Sequence, residues 1–175
     1  MIRRILASVL LATLGAAGCG GGDDRLTARG AMTLEVDEAT TGFDLPEPTR
    51  LEDDRDRRED RRLAGHCTFG GGEGAEPLRL SVGLERTGVA DDLGLRSFEV
   101  TIEEPDRSEA VGYVHADVGG TPYMAEGSRT GTCRVAALYF DREAGLAGVS
   151  VDCVLSGPEG AEAQAEAELE LSGCG

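Results

Sequence analysis

The chain has only two histidines, His66 and His115. His115 follows Tyr113 by two residues and precedes Asp117 by two. On an extended strand, residues two apart share a face, so the acid would sit beside the imidazole and could orient it as a general base. Such a base needs a group to activate. The sequence has no G-x-S-x-G turn, the motif that presents a serine nucleophile, and no other nucleophile or oxyanion motif accompanies the pair. His115 and Asp117 are therefore read as a candidate polar site on a strand surface. No catalytic residue is assigned, and an envelope hydrolase is a remote alternative. His66 adjoins Cys67 and on a strand would face away from it.

Metal-site spacings are missing as well. There is no C-x-x-C pair, which a zinc site of cysteines would use. The acidic pairs Asp23-Asp24, Asp53-Asp54, Asp91-Asp92 and Glu103-Glu104 lack the alternating acids, glycine and terminal glutamate of a calcium loop. No metal and no cofactor is expected.

The five cysteines divide into one and four. Cys67, Cys133, Cys153 and Cys174 form an even set that reads as two disulfides in an exported protein. A hairpin centred on Glu143 puts Cys133 opposite Cys153, within the short Cβ separation that a disulfide takes. Pairing Cys133 with Cys153 leaves Cys67 for Cys174.

Cys19 is different. Met1-Ile2-Arg3-Arg4 is a basic start, Ile5 to Leu14 is a short apolar run, and Gly15-Ala16-Ala17-Gly18 supplies small residues before the cysteine. This is the three-part layout of an export signal. Its apolar run is well short of the ~20 residues that span a bilayer. Ala16-Ala17-Gly18-Cys19 resembles the lipobox of bacterial lipoproteins, although that class prefers leucine where Ala16 stands. The resemblance implies a signal peptide over 1–18, cleavage before Cys19 and diacylglyceryl attachment to its thiol. Gly20 rather than Asp after the cysteine implies sorting to the outer membrane, if the cell has one. Two or three acyl chains suffice for stable anchoring. The Arg3-Arg4 pair could open a twin-arginine signal, but its flanking residues do not suit one.

Composition narrows the partners. The chain has 175 residues with 17 basic residues against 33 acids, a formal charge of −16. All 17 are arginine, and Lys and Asn are absent. So acidic a surface repels phosphate backbones, which disfavours nucleic acid. Trp is absent and Phe and Tyr are few, so the core must come from Leu, Val and Ala.

The elements that position these groups are strands. Residues 19–30 read as the lipidated cysteine and a Gly-rich tether, and 31–175 as one β-rich extracytoplasmic domain. Met32, Leu34 and Val36 alternate with polar residues, the period of a half-buried strand. Residues 38–62 break that pattern. Pro46 and Pro48 suggest an extended loop, and Leu51–Arg62 suggests a charged helix or an unstructured linker, with no apolar face. Strand signals then recur at the spacing of a sandwich or barrel: Leu63, Cys67 and Phe69; Leu78 to Leu84; Phe98 to Ile102; Val111 to Asp117; Tyr123 with Met124. Cys133, Val135, Ala137 and Tyr139 share one face, as do Ala147, Val149, Val151, Cys153 and Leu155. Turns are expected at Asp141–Gly145 and Ser156–Gly160.

From Ala161 to Leu171, alanine and leucine alternate with Glu and Gln. Alanine and glutamate favour helix, yet a helix would scatter the alanines around its circumference whereas a strand gathers them on one face. A strand is expected, and its acidic stripe would suit a charge-guarded edge.

The expected fold is all-β, an antiparallel β-sandwich or related barrel of about 7–9 strands with two disulfides. From residue 63 to 175 the layout resembles the small mycobacterial surface lipoprotein antigens, with a lipid anchor, a polar linker and a cysteine in an early strand and at the C-terminus. The pair Cys133 and Cys153 departs from them. The expected role is a non-catalytic envelope lipoprotein, held to the membrane through Cys19, with a structural or protein-binding function and envelope proteins as partners. The alternative is a carrier or sensor of a small ligand, a hydrophobic one among the options.

Overall fold

The structure, a computed structural model, describes residues 25–51, 63–71, 77–86 and 94–175. The expected signal peptide over 1–18, Cys19 and the expected helix beyond Leu51 lie outside the described residues.

Ten strands follow one another: β1 (Thr27–Val36), β2 (Ala39–Arg50), β3 (Leu63–Gly70), β4 (Arg79–Arg86), β5 (Leu95–Glu103), β6 (Val111–Val118), β7 (Thr121–Ser128), β8 (Arg134–Asp141), β9 (Leu146–Ser156) and β10 (Glu162–Ser172). No α-helix occurs among the described residues, and Pro158–Gly160 makes one 3-10 turn. The strands form a single sheet in the order β2-β1-β10-β9-β8-β7-β6-β5-β4-β3. The count exceeds the expected seven to nine. Pairing is antiparallel except for one parallel bridge, Ser128 to Arg134. β7 also touches β9 once, at Met124 and Ser156. These sparse contacts form a seam between two well-laddered halves, β2-β1-β10-β9-β8 and β7-β6-β5-β4-β3.

The sheet curls into a half-barrel, with one apolar core on its inner face. Phe98, Met32, Leu34, Leu80, Leu84, Leu95, Ile102 and Leu155 are among its fully buried side chains. No charged or polar residue is buried among those described. Contacts across the curl hold the two ends together. Leu95 N–H donates to Thr41 Oγ1 at 3.0 Å, and the Arg86 guanidinium donates to Gly42 O at 2.6 Å while lying over the Phe43 ring. The C-terminus lies along β3: Phe69 N–H donates to Gly175 O, and Gly175 N–H donates to Cys67 O. The two disulfides are Cys67–Cys174 and Cys133–Cys153, with Cα separations of 4.7 and 4.2 Å.

β10 is a strand, as its alternation requires: Ala163, Ala165, Leu169 and Leu171 are buried and the glutamates face out. It is not an edge, however. It lies between β1 and β9 with full ladders on both sides, so its acidic stripe covers the outside of a central strand.

Three local expectations are corrected. Residues 39–50, expected as part of a loop over 38–62, form strand β2. Pro46 and Pro48 fall where the β1–β2 register shifts, between Ala28 and Gly30, on an outer strand, the setting in which proline's missing N–H is tolerated. The first strand begins at Thr27, inside the segment read as tether. Tyr139 does not share the inward face of Val135. A register shift between Ala137 and Tyr139 inverts the alternation, because one extra residue turns the following side chains to the other face. Tyr139 faces outward, 44% exposed with its ring against Gly148, and Phe140 packs against the core instead.

Candidate functional site

The outer face of β3 to β7 gathers the chemistry-bearing side chains. One row of cross-strand partners runs His66 (β3), Gly83 (β4), Glu99 (β5), His115 (β6) and Met124 (β7), ending at Ser156 on β9. Both histidines of the chain therefore lie in one register row with a glutamate between them.

Gly83 makes the row work. A Cβ there would stand 2.4 Å from Cε1 and 2.7 Å from Nδ1 of His66. The imidazole thus lies across the bare backbone of β4. Its Nε2 comes within 3.1 Å of Ser81 Oγ and 4.0 Å of Glu99 Oε1. Which partner donates between Nε2 and Ser81 depends on the tautomer. Both side chains of the His66–Glu99 pair are about half exposed, at 49% each. The Coulomb attraction of such an exposed pair contributes little to stability.

His115 faces the same side. Asp117, its expected orienting acid, is engaged elsewhere: its Oδ1 accepts from Gly120 N–H at 2.9 Å and so closes the β6–β7 turn. Among the described residues no hydrogen bond links His115 to Asp117. Ser97 stands opposite Asp117 in the β5–β6 register. It does not complete a relay, since Asp117 is held by the turn. Ser81 is no better placed. In a hydrolytic triad the acid and the nucleophile take opposite nitrogens of the imidazole, whereas here Ser81 and Glu99 both approach Nε2.

Two open grooves meet on this face. One, of about 510 Å³, includes His66, Gly83, Glu85, Glu99, His115 and Asp117 in its lining. The other, of about 600 Å³, runs over the seam past Tyr113, Met124, Glu126 and Ser156. They share Glu99 and His115. Tyr113 and Met124 are 43% and 56% exposed, so the second groove is the more apolar end of a continuous trough.

The other half of the sheet repeats the ring-over-glycine arrangement. Tyr139, Gly148, Glu170 and Arg29 share a row across β8, β9, β10 and β1. A Cβ on Gly148 would lie 2.5 Å from the Tyr139 ring. Burial raises the Tyr139 phenol above its ordinary value, Glu170 adds to the rise, and Arg29 opposes it. Nearby, Asp152 accepts a hydrogen bond from the Arg134 guanidinium and raises its already high value.

The sequence singled out His115 and Asp117. The structure keeps both on this face, adds His66, and puts Glu99 between the two imidazoles in the register row. Glycine 83, in the middle of an otherwise alternating apolar strand, was the available signal, since an interior strand glycine often marks a close approach. Among the described residues no group of three or more His, Cys, Asp or Glu side chains is placed to hold a metal ion. No protein-family model, curated protein or solved structure matches the chain.

Proposed function

We propose that the chain is a lipid-anchored envelope protein without catalytic activity, and that it binds a partner protein through the outer face of β3 to β7. The observation that carries this reading is the trough itself. It combines polar and ionisable groups with exposed Tyr113 and Met124, the mixture of apolar anchors and polar rim that protein surfaces use for recognition. Anchoring rests on the lipobox-like Ala16-Ala17-Gly18-Cys19. The two disulfides point to an oxidising, extracytoplasmic compartment. The lipid on Cys19 places the domain at the cell membrane, or at the outer membrane where there is one.

Labelling with a clickable palmitate tests the anchor: wild type takes the label and sediments with membranes, and Cys19→Ala does neither. Photo-crosslinking tests the surface. A crosslinker at Met124 should capture one discrete partner in intact cells, and the same crosslinker at Glu166, on the outside of β10, should not. Equal capture at both positions would dismiss the binding face.

A second reading, a carrier or sensor of a small apolar ligand, is favoured by the groove of about 600 Å³ that Tyr113 and Met124 help line. It predicts that an apolar fluorophore binds the purified protein and that Met124→Glu abolishes the binding.

A further inference from the structure

We propose that the groove over the seam binds an extended, arginine-bearing segment of the partner protein, with one guanidinium at the Tyr113 ring between the carboxylates of Glu126 and Glu99. The proposal rests on the partner-binding reading above and names the chemistry of that partner.

The groove lies on three neighbouring strands. Tyr113 on β6 has Glu126 of β7 as its direct cross-strand partner, while Glu99 of β5 and Met124 of β7 are its diagonal neighbours. Direct partners have Cβ atoms about 5 Å apart and diagonal ones about 7–8 Å, within reach of aromatic and long side chains. One carboxylate thus stands on each strand that flanks the ring. All four residues are exposed and line the groove.

Charge selects the occupant. The lining holds two carboxylates and no arginine. An apolar or acidic segment would strip water from Glu99 and Glu126 without replacing its hydrogen bonds, which is costly. A cation turns that burial into complementarity. A second copy of this chain, with a formal charge of −16, is repelled. Arginine suits the groove better than lysine, because its planar guanidinium stacks on an aromatic ring and its donor fork matches a carboxylate.

The apolar surface sets the rest of the motif. Met124 is 56% exposed, and Val154, two residues before its bridge partner Ser156 on β9, is 52% exposed. Among the described residues, three of the six large hydrophobics left exposed, Tyr113, Met124 and Val154, therefore border the seam. The Tyr113–Met124 diagonal of about 7–8 Å is close to the roughly 6.7 Å between alternate residues of an extended chain. The segment that fits has arginine and a large apolar residue two positions apart, both facing the sheet.

The test is fluorescence anisotropy of the purified protein, disulfides intact, with a fluorescein-labelled peptide of two arginine-serine-leucine-serine repeats. Saturable one-to-one binding is expected. Citrulline in place of the arginines keeps the shape, removes the charge and should weaken binding at least about tenfold, roughly 1.4 kcal/mol. Glu126→Gln, Glu99→Gln and Tyr113→Ala should each weaken it comparably. Glu166→Gln and Glu168→Gln, on the acidic outside of β10, should leave it unchanged. All five positions are exposed, and circular dichroism of each variant checks that the fold survives. Equal binding of the citrulline peptide, or equal loss from the β10 variants, would assign the attraction to the diffuse acidic surface and overturn the proposal, as would the absence of saturable binding. Mass spectrometry of the peptide captured by the Met124 crosslinker separates this proposal from the reading beneath it. A discrete partner held through a segment without arginine would overturn the proposal and leave the binding face standing, and capture of a second copy of this chain would overturn it too.

Discussion

His66 reaches Glu99 across an intervening strand because residue 83, between them in register, has no side chain. The obstacle that a Cβ at 83 would meet is a half-exposed ring, which can swing into solvent. Alanine at 83 also removes conformational freedom from the unfolded chain, worth about 0.4–1 kcal/mol where the backbone is compatible. Gly83→Ala is therefore expected to leave the melting temperature unchanged or slightly raised while separating His66 from Glu99. Thermal denaturation with histidine NMR checks both halves. A large loss of stability would mean that the imidazole cannot leave its place over β4.

Gly112 offers the contrasting case. A Cβ there would lie 2.3 Å from Cγ1 of Val135, and Val135 is fully buried. The obstacle is a packed core side chain across the curl, with no solvent to move into. Gly112→Ala should cost about 1–3 kcal/mol, the usual range for overpacking, measured by urea unfolding. Two interior strand glycines thus predict opposite outcomes, according to whether the neighbour sits inside or outside the half-barrel.

Much of the framework was legible in the sequence where local alternation suffices. Ala163 to Leu171 declare a strand because only a strand puts them all on one face. The hairpin centred on Glu143 holds because Val135 to Ala137 face Val151 to Val149 in that register, which carries Cys133 to Cys153. Tyr139 was misplaced because the bulge after Ala137 has no composition of its own. Strand β2 was hidden by prolines that an outer strand tolerates. Glu99 could not be found because its neighbours depend on the order and register of β3 to β6, set by connection geometry rather than by local pattern. The glutamate stripe of β10 likewise could not tell a central strand from an edge, since the outer face of either is wet.

The two disulfides should differ in worth. Cys67–Cys174 spans 107 residues and Cys133–Cys153 spans 20. Chain-entropy arguments assign about 4.8 kcal/mol to the first and about 3.3 to the second. Replacing Cys67 and Cys174 by alanine should therefore lower unfolding stability more than replacing Cys133 and Cys153. The longer link also ties the C-terminal strand to β3, beside the backbone bonds of Gly175. Chemical denaturation of the two double variants checks the order, and the reverse order would overturn the loop-length account.

Adjacent residues of β10 should behave oppositely. Ala165 is fully buried between Leu34 and Cys153 in the ladder, and Glu166 faces outward. Ala165→Glu buries an unpaired carboxylate and is expected to cost more than about 4 kcal/mol. Glu166→Ala should change stability by no more than about 0.5 kcal/mol, as for other exposed positions. Expression yield and urea midpoints of the pair separate a strand from a helix, which would expose residue 165 and 166 more evenly.

The Tyr139 phenol gives the pH prediction. Its value is raised in the folded protein, first by burial and then by Glu170, with Arg29 acting the other way. A raised value means that the folded state holds the proton more tightly than the unfolded chain does. The contribution to stability is therefore complete below the ordinary tyrosine value of 10.0 and is lost as pH rises through the higher folded value. Alkaline titration followed by phenolate absorbance, with Tyr139→Phe as the subtracted reference, should show this tyrosine ionising after a free phenol. Glu170→Gln should bring it part of the way down and no further, because burial, the larger cause, persists. Gly148→Ala should bring it down as well, by pushing the ring off β9 and into water. A Tyr139 that titrates like a free phenol in the wild type would show that its ring does not rest over Gly148.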